Sequence, residues 1–365
     1  MNRYPLFLII FMITVPLLGG EFSSIVDLWE GKAQLKFQRE LKIDPNTSSM
    51  PGAGWGLVDQ GIWYWFYRDI PEAPKPSRCA ADYNRTVMVK SEDQGRTWSN
   101  KVIVADPDLS PKGSGCTVLD GSTFQDPKTG DWHLLAQCLS TSDSPTGQVW
   151  NLCHYSRKAK DGVFGKFTDD PKNPVIRSGA VFSEICKMAD SHCPIGIADE
   201  GTPNIFKKEG DYFWVSFHGA IIKNNQVLGY RGVAKTKDFH TWIPVGSVYG
   251  PDDFQKAIPG TIGTGASSDL HGEDGNLYSL VETPTLSLMC LVGQDWPLVL
   301  VRAPQKNFGP GKWQFPTQQA VPLLQSEMIG TPCALSYARW MLDPIHGLFL
   351  IYWDAVKGHR LVKVE

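Results

Sequence analysis

The chain has 365 residues and a net charge of −3, with Lys and Arg interspersed among Asp and Glu. No basic run is present to follow a phosphate backbone or an anionic leaflet, so neither nucleic acid nor membrane is expected as the main partner. Thirty-five glycines and 26 prolines interrupt the chain too often for long helices, whereas 13 Trp, 11 Tyr and 17 Phe favour strands.

Met1-Asn2-Arg3 is a short cationic start, Leu6 to Leu18 an almost unbroken apolar run, and Gly19-Gly20 a small-residue cut site before Glu21. The run is shorter than the roughly 20 residues of a membrane span, so residues 1–20 are expected to be a secretory signal peptide. Residues 21–365 then form a single secreted domain. Lys32 to Leu41 is a candidate strand with Leu35, Phe37 and Leu41 on one face, interrupted by Arg39.

One small pattern follows five times: a glycine, any residue, then large apolar or aromatic residues. The copies begin at Gly61, Gly130, Gly210, Gly275 and Gly347. Spacings of roughly 65–80 residues are too long for a helical solenoid and suit one four-stranded sheet per repeat. An all-β, five-bladed β-propeller is predicted. The last run, His359 to Glu365, is too short to finish a blade alone, and pairing it with Lys32–Leu41 would close the ring.

Outer hairpins punctuate the repeats. Ser91-Glu92-Asp93-Gln94-Gly95-Arg96-Thr97-Trp98 is similar to the Asp-box of sialidase-type propellers, in which Asp caps turn amides and Gly takes a left-handed conformation. Thr236 to Trp242 echoes it. The reading is a structural turn remote from any chemistry.

Eight cysteines in a chain bound for an oxidising compartment favour disulfides over a zinc site, since no CxxC occurs. Cys138 and Cys153 fall on neighbouring predicted strands, and Cys186 and Cys193 could close a short loop. The sequons at Asn46 and Asn84 make both residues candidate glycosylation sites.

Counting ten residues back from the turn glycine gives matched positions at the head of the inner strand. In repeats two and three these are Asp120 and Glu200, each followed by Gly and a Ser or Thr. Two acids meeting near a propeller axis repel one another, which would raise one pKa as a general acid requires. Glu200-Gly201-Thr202-Pro203, its short strand, and the turn Gly210-Asp211-Tyr212-Phe213 resemble the general-acid segment of the five-bladed arabinanase and β-xylosidase glycosidases. Asp120 with Gly130 is similar to the segment carrying that family's pKa-modulating Asp. A fainter likeness joins Gly56-Leu57-Val58 and Trp65-Phe66-Tyr67 to the invertase-type propellers. The resemblance implies a glycoside hydrolase with Glu200 as proton donor and Asp120 tuning it, acting on an oligosaccharide or polysaccharide. No cofactor or metal is implied.

The family's general base is an Asp at the head of the first inner strand, where this chain has Pro51-Gly52-Ala53-Gly54. Glycoside hydrolysis ordinarily uses two carboxylates. Either another residue substitutes, an external nucleophile serves, or turnover is lost. Asp269, His271, Glu273 and Glu282 are candidate substitutes, with Glu282 expected in a rim salt bridge. Asp199 adjoins Glu200 but points the opposite way along a strand. Trp55 and Trp63, with Trp65 and Trp132, could stack on sugar faces, and His271 beside Gly272 could contact a sugar. The alternatives are a glycan-binding propeller without turnover and, further off, a sialidase, whose three arginines and Tyr–Glu pair are not evident among the scattered Arg78, Arg85, Arg231, Arg302 and Arg339.

Overall fold

The computed structural model describes residues 23–43, 53–77, 79, 83–110, 115–139, 150–189, 200–223, 226–255, 258–285, 296–306, 312–316 and 322–365. The predicted signal segment, Asn46, Pro51, Gly52, Asp199, Cys193 and Cys290 lie outside them, as does the Cys186 side chain.

Five antiparallel sheets form a five-bladed propeller, as the glycine repeat predicted. Strand β1 (Leu35–Leu41) precedes the first blade, which consists of β2 (Gly54–Asp59), β3 (Ile62–Asp69), β4 (Arg85–Ser91) and β5 (Val102–Ala105). Blade two contains β6 (Thr117–Gln125), β7 (Trp132–Leu139), β8 (Trp150–Arg157) and β9 (Thr168–Asp169). Blade three contains β10 (Gly201–Glu209), β11 (Tyr212–Lys223), β12 (Gln226–Thr236) and β13 (Trp242–Tyr249). Blade four shows β14 (Ser267–His271), β15 (Asn276–Glu282) and β16 (Leu298–Pro304), with Gln314 bridging Arg302 beyond its outer edge. The fifth sheet is ordered β17 (Leu335–Asp343), β18 (Gly347–Asp354), β19 (Gly358–Val364), with β1 outermost and running antiparallel to β19 from Leu35↔Val364 to Leu41↔His359.

The period-two alternation of strands builds the interfaces between blades. On β3, Trp63, Trp65 and Tyr67 face blade five and pack with Met341, Phe349 and Ile351, while Tyr64 and Phe66 face blade two and pack with Val118 and Leu134. Three further clusters fill the remaining interfaces, so each blade is apolar on both faces. Each fully buried large side chain stabilises by roughly 2–3 kcal/mol. Hydrogen bonds stitch neighbouring blades together as well: Ile205 N donates to Ser122 Oγ (2.8 Å), Trp340 N to Ser268 Oγ (3.0 Å) and Trp63 Nε1 to Asp343 Oδ2 (2.7 Å).

The Asp-box turn forms as expected. Asp93 accepts from the Thr97 amide (2.8 Å) and hydroxyl (2.7 Å), which draw its carboxyl down to about 2. Gly95 adopts φ +79°, close against Trp98 and Leu41. Disulfides join Cys79 to Cys116 and Cys138 to Cys153, the second being the neighbouring-strand pair read from the sequence. No helix among the described residues is long and apolar enough to cross a membrane.

Candidate active site at the heads of the inner strands

The inner strands β6, β10 and β17 share a defect at their beginnings. Each carries a register shift, at Leu119/Ser122, Gly201/Asn204 and Ser336/Arg339, and each places a non-glycine residue at positive φ. These are Asp120 (φ +47°), Thr202 (φ +38°) and Tyr337 (φ +51°). Such bulges re-aim side chains, and a left-handed non-glycine residue costs on the order of 1–3 kcal/mol. Three blades therefore bear the same local strain at one end of the ring.

The glycines after the two acids have a packing cause. A Cβ on Gly121 would lie 2.5 Å from the Leu135 carbonyl, and one on Gly201 3.0 Å from Gln137 Oε1. At Gly121 the adjacent strand of the same blade leaves no room for a side chain, and at Gly201 the Gln137 amide of blade two would have to give way. Gln137 Oε1 also accepts the Thr202 amide at 2.7 Å, binding blade two to blade three directly below Glu200.

Asp120 is 6% exposed and faces Arg68 from the end of β3, whose Nε and Nη2 both donate to its carboxylate. This fork-on-carboxylate geometry fixes the acid and spares both groups an unpaired burial. Glu200 is completely buried. Its Oε1 accepts from the Val181 (3.0 Å) and Phe182 (2.8 Å) amides and Oε2 from Gly179 (2.6 Å), at the start of the helix Phe182–Ala189. Burial pushes its carboxyl up to about 7, against the downward pull of these amides. The expected cause was different: Asp120 is not among the groups that shift Glu200, and its own carboxylate is paired with Arg68. Desolvation, not mutual repulsion, holds a proton on Glu200 near neutrality.

Blades four and five complete the charged layer. Asp269 receives a hydrogen bond from Asn204 Nδ2, and Glu282 accepts the Ala266 amide at 3.0 Å. Burial raises both carboxyl pKa values above the ordinary range. Glu282, expected in a rim salt bridge, is buried at 3% exposure and has no carboxylate–cation contact among the described residues. Arg231 is fully buried on β12 and donates to the Thr202 carbonyl (2.8 Å), Thr202 Oγ1 (3.1 Å) and the Gly265 carbonyl (3.0 Å). Arg339, Arg231 and Glu282 lie within electrostatic reach of one another, so arginines read as scattered converge here. Tyr337 sits between Arg68, 5.9 Å from its ring, and Arg339; burial raises its hydroxyl to about 12.

Other expected site residues lie elsewhere. Trp55 is stacked on Phe66 with centroids 5.2 Å apart and donates to Thr123 Oγ1, and Trp63 is fully enclosed with its N–H on Asp343. Both indole faces are covered by protein, which leaves no surface for a sugar. His271 is exposed at the opposite end of β14, where its Nε2 meets the Phe206 carbonyl at 2.7 Å. Glu273 is at that far end too, near Ser24. Asn84 is 3% exposed and Thr86 of its sequon is fully buried with its hydroxyl on Val118 O, so the folded blade has no room for a glycan at Asn84. Among the described residues no group of three or more His, Cys, Asp or Glu could hold a metal ion.

Arg68 and Tyr337 were missed by the sequence reading, and Arg339 was named there only among arginines read as scattered. A signal for Tyr337 did exist: ten residues before Gly347, it occupies in the fifth repeat the place that Asp120 and Glu200 hold in theirs.

The architecture defines a five-bladed β-propeller with a charged layer at the heads of its inner strands. Among solved structures it is similar to a thermostable family-43 glycoside hydrolase (TM-score 0.57, 13% identity, 88% of this chain and 91% of that one). It is also similar to an endo-arabinase from Bacteroides thetaiotaomicron (TM-score 0.53, 15% identity, 90% and 96%). A GH32 β-fructofuranosidase from Bombyx mori matches at TM-score 0.51 and 13% identity, over 88% of this chain and 63% of that one. At these identities the likeness is one of fold. No family model and no curated protein sequence matches the chain.

Proposed function

We propose that the protein is a secreted glycoside hydrolase-like propeller that engages an oligosaccharide or polysaccharide at the end where β6, β10 and β17 begin. The observation carrying this reading is the pair of buried acids in dissimilar surroundings: Asp120 gripped by Arg68, and Glu200 kept near half-protonation at pH 7 by desolvation. Acid-assisted cleavage of a glycoside needs one carboxyl that still holds its proton at neutral pH. Glu200 is the donor in this reading and Asp120 a positioning residue acting with Arg68. The solved relatives in fold, which include arabinan- and fructoside-cleaving enzymes, agree with a sugar ligand.

A second reading is glycan binding without turnover. The specific observation in its favour is that Glu200 is wholly enclosed with three amides on its oxygens, so it would have to leave the helix to reach a glycosidic oxygen. One experiment separates the two. The wild-type protein and Glu200→Gln are incubated with a panel of oligosaccharides, and released reducing ends and binding are followed together. Turnover that falls about a hundredfold or more in the variant supports the hydrolase. Binding with no released sugar in either protein establishes the second reading and ends the first.

A further inference from the structure

The charges at the heads of the inner strands do not balance in place. Arg68 is answered by Asp120, and Arg231 by the Thr202 and Gly265 carbonyls and the Thr202 hydroxyl. Arg339 has no such answer. It is 8% exposed, and among the described residues its one hydrogen bond runs to the carbonyl of its own neighbour, Ala338, at 2.9 Å. Among the described residues no carboxylate lies within ion-pair distance of it. Its other guanidinium N–H groups make no hydrogen bond among the described residues and keep some access to solvent. Glu282, the acid nearest in electrostatic effect, accepts the Ala266 amide and lies by the Tyr337 and Ala338 amides; burial raises its carboxyl further than Arg339 draws it down, and the two make no ion pair.

A desolvated guanidinium with no carboxylate bonded to it is an expensive arrangement unless a ligand supplies one. Its planar fork matches a carboxylate, and the partly exposed Tyr337 beside it offers a ring face and a hydroxyl. The bulge at Ser336/Arg339 turns this strand head out of its regular ladder at the same end as Asp120 and Thr202. We propose that Arg339, with Tyr337 next to it, receives the carboxylate of an acidic sugar, so that the ligand is a glycan carrying uronic-acid-type residues. The inference rests on the carbohydrate reading above and narrows it.

The test uses the full-length secreted protein on an array of neutral, carboxylated, methyl-esterified and sulfated glycans. The expected result is binding to carboxylated glycans that weakens about tenfold or more when the same carboxylates are esterified, a control that requires no altered protein. Arg339→Gln, checked for an unchanged unfolding midpoint, should reproduce that loss on the free acid and show no further loss on the ester. Binding to neutral or only to sulfated glycans, or indifference to esterification, overturns the acidic-sugar assignment and leaves the carbohydrate reading intact. Binding to no glycan of any kind overturns both.

Discussion

Replacing Glu200 by Gln tests the electrostatic origin of its raised pKa without reference to any substrate. The carboxyl moves from an ordinary 4.5 to about 7 because burial outweighs three amide donors. That gap corresponds to roughly 3 kcal/mol of differential stability between the protonated and ionised forms. The folded state holds the proton more tightly than the unfolded chain, so the stabilising contribution is complete below about pH 4.5 and is lost as pH rises through about 7. Gln cannot ionise and retains an acceptor for the helix amides. Urea unfolding of both proteins at pH 5, 6, 7 and 8, disulfides intact, should therefore show the wild type losing up to about 3 kcal/mol relative to the variant. Titrating histidines are common to both proteins and cancel in the difference. A wild-type-minus-variant difference that does not change with pH, or that grows in favour of wild type toward pH 8, would refute the desolvation argument and remove the basis for a neutral-pH proton donor.

Asp120→Ala strands the buried Arg68 and should cost about 3–5 kcal/mol in urea unfolding, most of it recovered when Arg68→Met is added; a single-variant loss below 1 kcal/mol would contradict the buried pair. His359 is enclosed between Trp65 and Trp353, and burial pushes its pKa down to about 3. Its folded pKa lies below the unfolded value, so stability is lost as pH falls from about 6.5 toward 3, and His359→Phe should shift the acid-unfolding midpoint to lower pH. An unmoved midpoint would show that His359 does not titrate with unfolding. Trp63→Phe should cost about 1–3 kcal/mol through the lost bond to Asp343 while leaving glycan affinity within twofold; a selective loss of binding would restore Trp63 to the ligand site.

Much of the fold was legible because its causes are local. The turn glycines at 61, 130, 210, 275 and 347 all take positive φ, and the residues after them alternate between two buried faces, as blade strands must. The same repetition located Asp120 and Glu200 at strand heads. It could not distinguish a tryptophan that borders a cavity from one pressed between blades, since Trp55 and Trp63 obey the alternation either way. Nor could it see that the Asn84 sequon lies inside a blade, because burial of Thr86 depends on the neighbouring strand at Val118.

The order of apolar and glycine residues along the chain settled how many blades form and which faces they bury, since backbone geometry and the two-residue period act within a few positions. The disposition of charge was decided only when the ring assembled. Arg68 reaches an acid 52 positions away, Glu200 turns onto amides some 20 positions before it, and Arg339 is buried with a neighbouring carbonyl for its partner. Those outcomes depend on angles and distances between blades, and Coulomb and desolvation energies vary with the surrounding protein far more steeply than any pattern of neighbours in the chain records.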